Sequence, residues 1–139
     1  MINYKVLSKY VKNIKFNIPN PKIFYSLSEN ISNYKINIDI KSNQFKEKLV
    51  EIETSLRLKT SNDAQEKIDA EIVFSSIVEL NGDMSNKKEL EEIILIKVPN
   101  EVYPEIRKTF IFLFEQSGFK DIKIDENVDF KKLYKEKIN

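Results

Sequence analysis

Four stretches in succession alternate apolar with polar residues, the pattern of strands that bury one face. In the first, Ile14, Phe16 and Ile18 stand against Asn13, Lys15 and Asn17, and Pro19, Asn20 and Pro21 end it. The second sets Tyr34, Ile36, Ile38 and Ile40 against Lys35, Asn37 and Asp39. The third sets Val50, Ile52, Thr54, Leu56 and Leu58 against Glu51, Glu53, Ser55, Arg57 and Lys59, up to a polar turn at Thr60, Ser61, Asn62 and Asp63. The fourth places Ile68, Ala70, Ile72, Phe74, Ser76 and Val78 on one face and stops at Asn81-Gly82, a pair suited to a tight turn. Parallel neighbours need long crossovers, so strands joined this closely make an antiparallel meander.

Beyond Gly82 the period changes. Lys88 to Lys97 reads as a short, strongly apolar helical piece ending at Val98-Pro99-Asn100. A long helix is expected from about Glu101 to Ser117, with Pro104 in its first turn and Gly118 past its C-terminus. Val102, Tyr103, Ile106, Phe110, Leu113 and Phe114 form one stripe, while Ile111 and Phe112 are apolar on other sides. A helix apolar nearly all round is buried on several sides, and one sheet covers only one of them. The remainder must be covered by another chain or stay as an exposed patch, and on the first alternative the stripe is the expected oligomer interface. A short last helix, Val128 to Lys137, carries Phe130, Leu133 and Tyr134 at i, i+3 and i+4. The expected fold class is α+β: a four-stranded antiparallel sheet, a long helix and a short C-terminal helix, in one domain over residues 1–139.

Composition narrows the function by exclusion. Lys+Arg of 23 against Asp+Glu of 22 leaves a formal charge of +1. Such a balance gives no electrostatic ground for nucleic acid or an anionic membrane as partner. Arg57 and Arg107 are the only arginines, too few for bidentate base or phosphate readout. Without Cys or His, disulfides, thiolate zinc sites and Ser–His or Cys–His nucleophiles are excluded. Lys5, Lys9, Lys12 and Lys15 interrupt the opening segment, which therefore lacks a signal-peptide core. No stretch approaches the length of a membrane span, so a soluble cytoplasmic protein without membrane insertion is expected.

The acids cluster as Glu51/Glu53, Asp69/Glu71 and Glu89/Glu91/Glu92. On strands, alternating carboxylates make a solvated face rather than an acid–base pair. No Gly-rich loop follows a strand to cradle phosphate, and Asp121, Asp125 and Glu126 lack calcium-loop spacing. No catalytic residue, metal or cofactor is expected. Phe24 and Tyr25 fall in a loop, and Phe130, Leu133 and Tyr134 on a small helix, both with little capacity to bury them. They either lid the core or line an adaptable apolar groove for extended segments.

These residues also resemble a known family. Tyr10-x-Lys12-x-Ile14-x-Phe16-x-x-Pro19-Asn20, followed by Ile23-Phe24, is similar to the first strand and crossover loop of SecB. Val98-Pro99-Asn100-x-x-Tyr103-Pro104-x-x-Arg107 looks like the Cys-Pro-Asn segment that opens SecB's long helix, with Val98 in the Cys place. Gly118-Phe119 matches that helix's end, and Val128-Asp129-Phe130-x-x-Leu133-Tyr134 is similar to the last helix. The order and spacing hold from about Tyr10 to Lys137.

The resemblance implies a homotetramer, a dimer of dimers with the long helices sandwiched inside. It implies a chaperone that holds unfolded secretory precursors without nucleotide or catalysis and delivers them to the SecA translocation ATPase. Carried onto this chain, the client groove would use Phe24, Tyr34, Ile36, Ile38, Phe130, Leu133 and Tyr134. Docking to SecA would use Glu71, which falls where the family has a Glu, and the nearby Asp69. Asn13 and Asn17 stand where relatives carry acids, and the family's net negative charge is missing. Tyr134 to Asn139 lack the tail that engages SecA's zinc-binding segment, so weaker docking is expected. Two alternatives stand beside this reading: a SecB-like chaperone dedicated to one partner, such as a toxin–antitoxin pair, and a small-ligand-binding α+β protein.

Overall fold

A computed structural model describes residues 1–30, 35–59, 69–120 and 122–138. Tyr34, the turn expected at Thr60 to Asp63, Ile68 and Asp121 lie outside the described residues. Strands β1 (Asn3–Asn17), β2 (Lys35–Lys46), β3 (Leu49–Lys59) and β4 (Asp69–Asn81) form one antiparallel sheet in the order β1-β4-β3-β2. The last three strands are a meander. A continuous meander would set β1 beside β2, but β1 pairs with β4, an order of Greek-key type. The consequence is that β1 and β2 are the two edges.

β1 begins eleven residues before the alternation at Ile14 becomes visible. Two register shifts explain this. Val6 lies opposite Val78 but Ser8 opposite Ile77, and Val11 opposite Phe74 but Asn13 opposite Val73. Each bulge inserts one extra residue and flips the phase of the alternation. The loop expected after β1 is instead a helix, α1 (Pro21–Asn30). Its signal was local: Asn20 Oδ1 accepts from the Ile23 N–H at 2.9 Å as an N-cap, and Pro21 fills the first helical position.

The segment after Gly82 is one continuous helical run rather than two pieces. It comprises α2 (Lys87–Glu92), a π-helical turn (Ile93–Lys97) and α3 (Val98–Gln116). Asn86 caps its start, accepting from the Glu89 N–H at 3.1 Å. Pro99 lacks an N–H and crowds the preceding turn, which ought to break a helix. The widened turn absorbs it: the Val98 N–H reaches back five residues to the Ile93 carbonyl. Pro104 therefore lies inside the helix, not in its first turn, on a solvent-exposed side. The chain ends in α4 (Phe130–Ile138).

The core lies between one sheet face and α3. Ile52, Leu56, Ile72 and Val78 from the sheet are fully buried against Val98, Val102, Ile106, Phe110 and Phe114. Phe16 meets Phe114 edge-on with ring centroids 5.0 Å apart, and Phe114 meets Phe119 at 5.6 Å. Among the described residues no helix is long and apolar enough to cross a membrane.

Candidate functional site

The inner face of β2 carries Ile36, Ile38 and Ile40, all half-buried, and among the described residues no strand pairs with its outer edge. Helix α4 is laid over this strand by a chain of fixed contacts. The Tyr103 hydroxyl donates to the Asp125 carbonyl at 2.6 Å, and Arg107 Nε to the Ile124 carbonyl at 2.9 Å. Two side chains of α3 thereby hold the segment that leads into α4. Asp129 Oδ1 then caps α4 from the Lys132 N–H at 3.0 Å. Phe130 is buried, its ring 5.9 Å from that of Tyr103.

One turn further, Leu133 and Tyr134 close on Ile38 and Ile40, with Leu95 of the π-helical turn beside them. The space between them is about 10 Å³, the lower limit for a single water. The Tyr134 hydroxyl donates to Glu91 at 2.6 Å, and this bond raises the Tyr134 pKa above its usual value. Farther along the same strand face the surface opens into a cavity of about 540 Å³. Leu49, Val50, Leu80, Met84, Leu90 and Ile94 line its apolar part; Ser42, Gln44, Glu47 and Lys48 supply polar groups. A closed apolar contact and an open cavity thus follow one another beside a strand edge that no other described strand pairs.

Of the residues expected in the groove, Ile38, Leu133 and Tyr134 come together, and Ile36 shares their strand face. Phe130 is a correction: at 2% exposure it is a core side chain that anchors α4. Phe24 belongs to another cluster, 4.9 Å from the Phe119 ring and against Gly118. Tyr34 is outside the described residues. Ile40 and Leu95 were missed, although Ile40 continues the alternation of Ile36 and Ile38. The larger cavity was missed too, because its walls come from segments far apart in sequence.

The stripe expected at the oligomer interface is also corrected. Val102, Tyr103, Ile106, Phe110 and Phe114 are buried inside the protomer, at 3% exposure or less, and have no surface left for a partner. Leu113 is half-buried. What α3 presents outward is Phe112, 57% exposed, with Ile111 and Pro104 on the same surface.

The opposite sheet face is mostly polar, with Val73 and Ile77 of β4 among its residues. Asp69 is exposed there, and Glu71 Oε2 lies 3.3 Å from Arg57 Nε. Glu51 accepts from Ser75 Oγ at 2.7 Å and from the Tyr10 hydroxyl at 2.8 Å. These bonds, Ser75 first, with those from Lys12, hold its carboxyl below the usual range. Among the described residues no group of acidic side chains is placed to hold a metal ion.

An antiparallel sheet with an apolar edge strand and a short helix closing on it is an architecture to which an extended polypeptide can add as a further strand. The chain belongs to the SecB family of protein-export chaperones: the family described as Preprotein translocase subunit SecB matches residues 2–139. A putative protein-export protein SecB of Pelagibacter ubique (strain HTCC1062) is 36% identical over 137 residues, 99% of this chain and 98% of that one. The protein-export protein SecB of Mesorhizobium japonicum is 23% identical over 133 residues, covering 96% of this chain and 78% of that one. Among solved structures, the fold is similar to a SecB-like chaperone of Mycobacterium tuberculosis in complex with an antitoxin peptide. That likeness has a TM-score of 0.66 at 12% identity and covers 90% of this chain and 88% of the other.

Proposed function

We propose that this chain is a cytoplasmic holdase for secretory precursors, acting without nucleotide or catalysis. The observation that carries the reading is the apolar cavity beside β2, next to an edge that no other described strand pairs. An extended client can add its backbone to that edge and place apolar side chains in the open cavity beneath, with Leu133 and Tyr134 as a closed apolar wall beside it. Each contact is weak, and several grooves on one oligomer hold the client by avidity. The test is binding of an unfolded precursor to the purified protein, with protection from aggregation as readout. Failure to bind any unfolded chain would end the reading.

The oligomer proposed is a homotetramer. Its support is the surface that one protomer leaves open: Phe112 on α3, and Leu7, Val11 and Ile14 on the free edge strand β1, each more than 40% exposed. The outer sheet face with Asp69 and Glu71 is proposed to dock SecA. Glu71→Lys should weaken SecA binding while leaving client holding intact, because the groove lies on the other face. Salt should weaken the attraction as well.

A second reading is a chaperone dedicated to one partner. Its support is that the Mycobacterium tuberculosis neighbour is bound to an antitoxin peptide. Competition between unrelated unfolded precursors separates the two: a general holdase is displaced by each of them, a dedicated one by none.

A further inference from the structure

The second bulge of β1 gives one cation an unusual reach. Lys12 is the extra residue between Val11, opposite Phe74, and Asn13, opposite Val73, so it has no partner in the ladder. A bulge of this kind re-aims a side chain. The Lys12 side chain crosses β4 and ends on β3, with Nζ 2.7 Å from Glu53 Oε1 and 3.2 Å from Glu51 Oε1. Glu71, on the same face, has Arg57 on one side and stands opposite Lys15 in the register on the other. Glu51, Glu53 and Glu71 of this face are therefore met by cations of the chain itself. The Lys12 side chain itself stays 41% exposed, and ion pairs open to solvent on one side contribute little to folding, so stability is a poor account of why Lys12 is aimed there.

We infer that Lys12 is an intramolecular competitor that sets how tightly the outer sheet face binds a basic partner. It occupies the carboxylate of Glu53 and Oε1 of Glu51, the oxygen that Ser75 and Tyr10 leave. The ammonium and guanidinium groups of a docking surface would otherwise engage both. The partner must displace Lys12 before reaching them, and that displacement subtracts from binding. The ammonium also lowers the negative potential that steers a basic partner inward. The inference rests on the reading of this face as the SecA-docking surface, and deepens it by naming a residue that tunes affinity rather than contributes to it.

The experiment measures SecA binding to the full chain at one fixed low salt concentration. It compares the wild type with Lys12→Gln, Lys12→Met, Lys12→Arg and Glu71→Lys, with the melting temperature of each as a folding check. Removing the charge should tighten binding roughly tenfold, mostly through the association rate, while Lys12→Arg stays near the wild type. Lys12→Met keeps the stem's packing and must behave as Lys12→Gln does. If Glu71→Lys weakens binding but both neutral variants leave it unchanged or weaker, the docking face stands and the role of Lys12 is overturned. If no substitution moves SecA affinity, the docking reading falls and the inference falls with it.

Discussion

Tyr4 lies near the start of β1, where its hydroxyl donates to Glu101 of α3 and ties the edge strand to the long helix. Burial, and then the bond to that carboxylate, push its pKa up to about 12 from an ordinary 10.0. The folded value is the higher one, so the stabilisation is complete below the unfolded pKa. It is lost as pH rises from about 10 towards 12. Tyr4→Phe should show a shallower fall of melting temperature with pH across that window, and identical slopes would refute the assignment. Gly82 gives a second test at this scale. Its φ of +119° suits only glycine, and a Cβ there would collide with the Met1 carbonyl oxygen. Gly82→Ala should lower stability by about 1–3 kcal/mol, measured by denaturant unfolding. Asn81-Gly82 was readable as a turn; what the sequence could not show was the N-terminal strand packing against it.

At the scale of elements, α4 divides its apolar residues between two tasks. Phe130 is fixed in the core against Tyr103, whereas Leu133 and Tyr134 are half-buried over β2. Phe130→Ala should cost about 3–5 kcal/mol of stability by leaving a cavity. Replacing Leu133 and Tyr134 together by Ser should cost less stability but lower client affinity, by about 1–3 kcal/mol for each large apolar side chain taken from the groove. Melting temperature and aggregation protection, measured on both variants, separate the roles; equal loss of holding per folded molecule would remove α4 from the groove. The sequence grouped all three residues because they share a helical face at i, i+3 and i+4. Spacing alone does not say which turn meets the core and which meets an edge strand. Period-two alternation made β3 and β4 legible for the converse reason: each buries one face along most of its length. In β2 only Ile36, Ile38 and Ile40 do so, and the exposed run up to Lys46 carried no signal. In β1 the bulges at Leu7 and Lys12 broke the phase, and in α3 the π-helical turn concealed the continuity past Pro99.

At the scale of the whole molecule, the proposed assembly draws on different residues from the stripe expected on α3. An all-round apolar α3 implied cover from a partner, and the protomer's own sheet already covers Val102, Ile106, Phe110 and Phe114. The surface left over is smaller but better placed. Phe112 is 57% exposed on the solvent side of α3, and β1 offers a long strand edge with apolar residues on its faces. Unpaired edges of this length are ordinarily shielded, and pairing with a second copy shields both at once. A dyad through the β1 edge satisfies the strand, and a second dyad through α3 covers Phe112; two such isologous contacts close at four copies. Light scattering at micromolar concentration should give about four times the 16.4 kDa of one chain. Phe112→Glu places a charge where the α3 contact forms and should leave dimers held by β1, with the melting of the protomer little changed because the side chain is not core. A tetramer that persists in Phe112→Glu would move that contact away from α3. A folded monomer of the wild type at the same concentration would refute the assembly altogether.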